Sequence, residues 1–289
     1  MATVKRLIIL PGDGPLRNTA VNESKIEYVE LNANPILGCS HACKYCYARK
    51  LDMRFGKVKS AAQWHRPIYY SNFFEVLEKE IKCGKIDPEK EIFMSTMTDL
   101  YQPYAVKYGI ARKLIELVQF ANLKYRILTK SPQVLSDMDL HSGYEKGKVG
   151  LSITTDSKNE KNRKYWEPRT TEIVKRLKAM QKMDSYGDIN LWVSAEPFLP
   201  GTDFDRYFQE IIEYGGDSLK EIIIGKMNYE AGVDEKFEWD EVVQACEKYR
   251  QKYKYRIRFH YKKEFMHFLQ RKQLTPWDLN LAPREEFCY

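Results

Sequence analysis

The chain has 289 residues, 43% of them hydrophobic and 30% charged, with a formal net charge of +7. That size suits one barrel-sized domain, and the mixed charges argue against a disordered chain. Six cysteines are too few for a disulfide scaffold. No 18-residue window is apolar enough to span a bilayer.

The first residues, MATVKRLIILPGDG, show no small-residue cleavage pattern of a secretory signal. A reducing cytoplasm is the expected compartment, because clustered thiolates intended for a metal should stay reduced. Short apolar runs then read as buried strands: IEYVELN (26–32), EIFMST (91–96), LKYRILT (123–129), KVGLSIT (148–154), INLWVSA (189–195) and LKEIIIG (219–225), with RIRFH (256–260) as a seventh. Amphipathic stretches alternate with them: residues 71–84, 104–121, 170–183, 203–216 and 238–253. This β-α repetition predicts a parallel sheet with helical crossovers, either partly closed into a barrel or open and doubly wound. No Gly-x-Gly-x-x-Gly follows a strand, and no Lys-Ser/Thr phosphate loop occurs. In a barrel, the polar residues ending the strands form the site. They are Ser95, Thr96, Thr98 and Asp99; Thr129 and Lys130; Ser152, Thr154 and Thr155; Ser194 and Glu196; Lys226 and Asn228.

The stretch GCSHACKYCYAR (38–49) follows the first strand and opens onto that same face. Its cysteines, Cys39, Cys43 and Cys46, are spaced C-x3-C-x2-C, and Cys83, Cys246 and Cys288 stand alone. Soft thiolates at this spacing reach one metal centre. A closed zinc or four-iron site takes four protein ligands, so three leave a position open. His41 lies between the first two cysteines and makes a Cys3His zinc site the rival reading.

C-x3-C-x2-C followed by Tyr47 resembles the signature of the radical S-adenosylmethionine superfamily. The longer string NPILGCSHACKYCYAR (34–49) is similar to its spore photoproduct lyase-like branch. So are STMTDLYQPY (95–104), LTKSP (128–132), GLSITT (150–155), WEPRT (166–170) and AEPFLPG (195–201). The resemblance implies an α/β fold, a partial TIM barrel of (β/α)6 type with a C-terminal extension. It divides the chain into an N-terminal extension (1–27), the barrel (28–230) and a helix and strand extension packed on it (231–289).

The resemblance also implies a [4Fe-4S] cluster on Cys39, Cys43 and Cys46, whose open iron takes S-adenosyl-L-methionine. Reductive cleavage then yields methionine and a 5′-deoxyadenosyl radical that abstracts hydrogen from substrate. An electron donor such as flavodoxin or ferredoxin is expected. Tyr47 is placed by the adenine; Ser95, Thr96, Thr98 and Asp99 by the methionine amino group; Lys130 and Ser152 by its carboxylate. Glu167 and Arg169 are expected to pair, or to reach the cosubstrate, and Glu196 to meet ribose or substrate. His65, in QWHRP, reads chiefly as structural.

One departure is that Thr96 stands where the lyase has a hydrogen-donating cysteine, so the same repair reaction is not expected. Nucleic acid is nonetheless a candidate substrate, because KYKYRIRFHYKKEF (252–265) is basic and aromatic. The alternative from another class is a zinc-stabilised nucleic-acid-binding protein without catalysis.

Overall fold

The structure is a computed structural model, and it describes residues 14–228 and 230–274. Cys288 and the outer ends of the two expected extensions lie outside the described residues. One eight-stranded sheet organises the rest: β1 (Val21–Glu23), β2 (Leu31–Ala33), β3 (Glu91–Met94), β4 (Lys124–Thr129), β5 (Gly147–Ser152), β6 (Asn190–Ala195), β7 (Leu219–Ile224) and β8 (Arg258–Tyr261). Their order in the sheet is their order in the chain. The β1–β2 pair is antiparallel and every other pair is parallel. A strand order that never reverses, joined by right-handed crossovers, puts the helices on one face. That removes the doubly wound alternative.

The other face is concave. On a flat sheet β4 and β7 would stand roughly 14 Å apart. Yet Arg126 on β4 reaches Glu221 on β7 at 2.7 Å and Glu91 on β3 at 2.8 Å. Trp192 on β6 packs edge-on against Phe93 on β3, with ring centroids 6.0 Å apart. Its indole crosses β5 at Gly150, where a Cβ would come within 2.3 Å of the ring, and donates to the Ile127 carbonyl at 3.1 Å. A side chain at position 150 would therefore block this contact.

Among the described residues no ladder joins the first strands to β8. Side chains bridge that gap instead. Glu27 accepts from the Lys263 amide at 2.9 Å and lies 3.1 Å from His260, while Tyr28 packs edge-on against the His260 ring. The first strand is shorter than the expected 26–32 because residues 24–30 form the turn of the β1–β2 hairpin, with the Ser24 amide donating to the Glu30 carbonyl at 2.7 Å and the Val29 amide to that of Ile26 at 3.2 Å. β1 and β8, which fall within the two expected extensions, join the sheet at its two edges.

The outer face carries the main core. Leu114, Ile115 and Val118 come from the helix Ile110–Phe120; Ile173, Leu177 and Met180 from Ile173–Asp184; Tyr207, Phe208 and Ile211 from Phe204–Gly215. The stretch expected as one helix over 104–121 breaks at Gly109, which adopts left-handed backbone between Pro103–Lys107 and Ile110–Phe120. The helix Trp239–Tyr253 packs outermost, stacking Tyr249 on Phe208. None of the described helices is long and apolar enough to cross a membrane.

His141 is buried in this outer core, with the Tyr125 hydroxyl 2.9 Å from Nδ1 and the Tyr101 hydroxyl 3.4 Å from Nε2. Burial pushes its pKa down to about 4. The unfolded chain then binds one more proton than the native protein between near-neutral pH and about 4, so stability falls as pH falls through that window. Between about pH 7.5 and about pH 5 the loss should be on the order of 2 kcal/mol. His141→Asn should flatten that part of the pH dependence in urea unfolding; an unchanged slope would refute this origin.

Candidate functional site

The cysteine loop is fixed before any ligand arrives. It begins at Gly38, whose backbone has φ +90 and where a Cβ would lie 2.5 Å from the Trp64 carbonyl. Cys39 donates its amide to that carbonyl at 2.9 Å. Gln102 clamps the turn, accepting from the Ser40 amide at 2.9 Å and donating to the Gly38 carbonyl at 3.2 Å. Further on, the Lys44 amide donates to Trp166 and the Arg169 amide to the His41 carbonyl. Cys46 caps the helix Tyr47–Arg54, its Sγ accepting from the Arg49 amide at 3.4 Å.

Two buried carboxylates anchor the loop from below. Asp99 accepts from the Tyr101 amide at 2.8 Å, the Thr129 hydroxyl at 2.7 Å, the Lys130 amide at 2.9 Å and His41 Nε2 at 2.9 Å. Burial alone would raise its pKa, but His41 and the other donors outweigh burial and hold it at about 2. An ionised Asp99 places the shared proton on His41 Nε2; Nδ1 is buried without a hydrogen-bond partner among the described residues.

Glu167, fully buried, accepts from the Tyr45 hydroxyl, Arg176, Thr154 at 3.1 Å and Thr170 at 3.2 Å. Against the cost of burial, Arg176, Lys130 and Tyr45 bring it down to about 2. The expected pairing of Glu167 with Arg169 is therefore replaced by Glu167 with Arg176. The latter projects inward from the first turn of Ile173–Asp184, whereas Arg169 sits on an exposed loop.

Above these anchors, at the C-terminal ends of the parallel strands, lies a cavity of about 470 Å³. Cys39, Cys43 and Cys46 line it together with Tyr47, Ser95, Thr96, Thr98, Asp99, Lys130 and Glu196. The three thiols are half-buried, and burial pushes all three upward, Cys43 to about 12. Among the described residues no three His, Cys, Asp or Glu side chains converge tightly enough to grip a single ion.

Ser95 has left-handed backbone at φ 69, an uncommon conformation for a non-glycine residue, and its hydroxyl lies 2.6 Å from that of Thr98. Lys130 extends its ammonium to the Ser152 hydroxyl at 2.8 Å, with Glu167 3.9 Å behind. Glu196 pairs with Lys262 at 2.8 Å. Five expected residues do not line the cavity: Ser152, Thr154, Thr155, Glu167 and Arg169. Ser152 and Glu167 lie behind Lys130, Thr154 donates to Glu167, Thr155 meets the Thr202 hydroxyl at 2.7 Å, and Arg169 supports the loop through its backbone.

Sequence reasoning passed over His41 as an anchor, and Tyr45, Gln102 and Arg176 altogether. Tyr45 and His41 stand inside the cysteine motif and Gln102 inside STMTDLYQPY (95–104), which were the available signals. Nothing local marks Arg176.

A family profile described as a protein of unknown function, DUF5131, matches residues 23–264. The chain belongs to the DUF5131 family. This DUF5131 protein is 27% identical over 259 residues to an uncharacterized protein of Acidianus two-tailed virus, covering 80% of this chain and 83% of that one. With an uncharacterized protein of Methanocaldococcus jannaschii it shares 29% identity over 180 residues, 62% of this chain and 64% of that one.

Among solved structures it resembles a spore photoproduct lyase complexed with dinucleoside spore photoproduct, with a TM-score of 0.64, 16% identity, and coverage of 86% of this chain and 81% of that one. A mutant of that lyase with bound AdoMet and the dinucleoside matches at a TM-score of 0.63 and 16% identity, over 85% and 80% of the two chains. These likenesses place the DUF5131 protein in the same mixed α/β fold.

Arg176→Met in the DUF5131 protein should leave Glu167 buried without its cation and cost about 3–5 kcal/mol in urea unfolding. Adding Glu167→Gln should recover part of that loss. No recovery would mean that Arg176 acts by packing alone.

Proposed function

We propose that this protein is a radical S-adenosylmethionine enzyme built on a partial (β/α)6 barrel. The observation that carries the reading is that three thiols from one short loop line a single strand-end cavity with Tyr47, the Ser95–Thr98 hydroxyl pair and the Lys130 ammonium. The donor set fits a [4Fe-4S] cluster on Cys39, Cys43 and Cys46. Thiols that burial keeps protonated are ones a bound metal would deprotonate. When bound, such a cluster supplies one electron to S-adenosyl-L-methionine and so a 5′-deoxyadenosyl radical able to abstract hydrogen from a substrate.

The chain's own residues bind and orient. The Lys130 ammonium, steadied by Ser152 with Glu167 behind it, suits the methionine carboxylate through a charge-assisted hydrogen bond. The Ser95, Thr96 and Thr98 hydroxyls suit its ammonium, and Tyr47 offers a ring to the adenine. Glu196 suits ribose hydroxyls once its partner Lys262 yields. Asp99 and Glu167 act as positioning residues, since protein donors occupy both carboxylates.

At the cavity mouth Lys25, Lys226 and Lys262 are balanced by Glu27, Glu196 and Glu264. That balance fits a neutral or zwitterionic group better than a run of phosphates. The basic, aromatic stretch 252–265 also forms no single face. It is split between a helix end, β8 and the next helix, and only Lys262 and Glu264 from it line the cavity.

Anaerobically reconstituted protein should contain about four irons per chain and no zinc. With dithionite and S-adenosylmethionine it should form 5′-deoxyadenosine, and Cys43→Ala should lose both the iron and the cleavage. An intact cluster that yields no 5′-deoxyadenosine would sink the proposal. Lys130→Met should keep its iron yet bind S-adenosylmethionine ten- to a hundredfold more weakly, the worth of one hydrogen bond to a charged group.

A further inference from the structure

The chain's positive charge is concentrated beside the cysteines. Residues 39–74 hold seven lysines and arginines and a single acid, Asp52, a formal +6 where the whole chain carries +7. Asp52 is buried and already paired with Lys57 at 3.2 Å.

This segment is one compact unit. Ala48, Val58 and Trp64 form a small core of their own, with Cys39 and Cys46 packed against it. On the helix Tyr47–Arg54, the residues Tyr47, Ala48 and Leu51 line the cavity. At 3.6 residues per turn, Arg49 and Met53 then lie on the side away from it. Lys57, Lys59, Arg66 and Arg169 are also exposed, and burial depresses the His65 pKa with Arg49 and Arg169 adding to the effect, which puts both arginines close to it. Within this basic surface two apolar side chains stand in solvent, Met53 41% and Phe55 68% exposed.

We infer that this outer face of the helix Tyr47–Arg54 is the docking surface for an acidic one-electron carrier protein. The inference rests on the proposed radical chemistry, which needs such a donor. Charge complementarity selects an acidic partner. Exposed Met and Phe inside a basic rim suit a protein partner, whose contact has an apolar centre and polar rim. The location selects electron delivery. Cys46 caps this helix, so its sulfur lies within about one helix diameter, ~10 Å, of the docked surface. A carrier seated there leaves the cavity mouth open, because the same helix turns its other face to the cavity.

The test uses the cluster-loaded protein, flavodoxin as the probe, and a variant with Lys59→Glu and Arg66→Glu, neither of which lines the cavity. Reduced flavodoxin should reduce the wild-type cluster at a rate that falls at least tenfold in the variant, and flavodoxin binding measured by calorimetry should weaken in parallel. Raising salt should slow the wild-type reaction with flavodoxin but not the reaction with dithionite.

Dithionite-driven formation of 5′-deoxyadenosine should be the same in both proteins. If the variant fails to fold, Lys59→Gln with Arg66→Gln and the wild-type salt dependence carry the same comparison. Equal flavodoxin rates in variant and wild type overturn the inference. So does tight binding of a single-stranded oligonucleotide that the variant loses while flavodoxin binding persists. Absence of dithionite-driven cleavage in the wild type would instead defeat the radical chemistry, and flavodoxin binding would still report on the surface.

Discussion

A carboxylate without water must be given donors, and Asp99 draws its four from different parts of the chain. One comes from the cysteine loop, two from the end of β4 and one from its own turn. Satisfying this charge therefore ties the cysteine loop to the strand ends. Glu167 does the same from the other side, joining Tyr45 of the loop to Thr154 after β5 and to Arg176 on the following helix. Lys130 sits between the two anchors, with its amide on Asp99 and its ammonium on Ser152 near Glu167. The polar cavity wall is a consequence of these two buried charges.

The curvature of the sheet makes those contacts reachable. Arg126 holds carboxylates from β3 and β7, while Trp192 lies across Gly150 to reach β4. Strands that would be far apart on a flat sheet thus share partners on one concave face. Edges that share no ladder among the described residues are joined by Glu27 and Tyr28 to His260 of β8 and to Lys263. The cavity stays open at the strand ends, where Lys226 and Lys262 meet the acids of the mouth.

The helix Tyr47–Arg54 separates two tasks by its two faces. One side carries Tyr47 into the cavity; the other carries exposed cations and apolar side chains outward. Cys46 stands at its N-terminus, between them. A short cysteine loop followed at once by a short helix thus presents one side to the cavity and the other to solvent.

The sequence by itself determined the alternation of the central strands and helices, the three-cysteine motif and the strand-end hydroxyls, because each is a local pattern of period or spacing. Six of the seven expected strands lie close to their predicted places, the first gives most of its length to a hairpin turn, and β1 and the helices Tyr47–Arg54 and Lys263–Arg271 were not expected. Tertiary structure alone decided the rest. Period and spacing do not encode which donors a buried charge recruits. So Arg176 rather than Arg169 meets Glu167, Gln102 clamps a loop 62 residues away, and Ser152 sits behind Lys130 rather than in the cavity. His41 shows both levels at once. Its place between the cysteines was legible, but its role depended on a carboxylate 58 residues further on, which only folding brings within 2.9 Å.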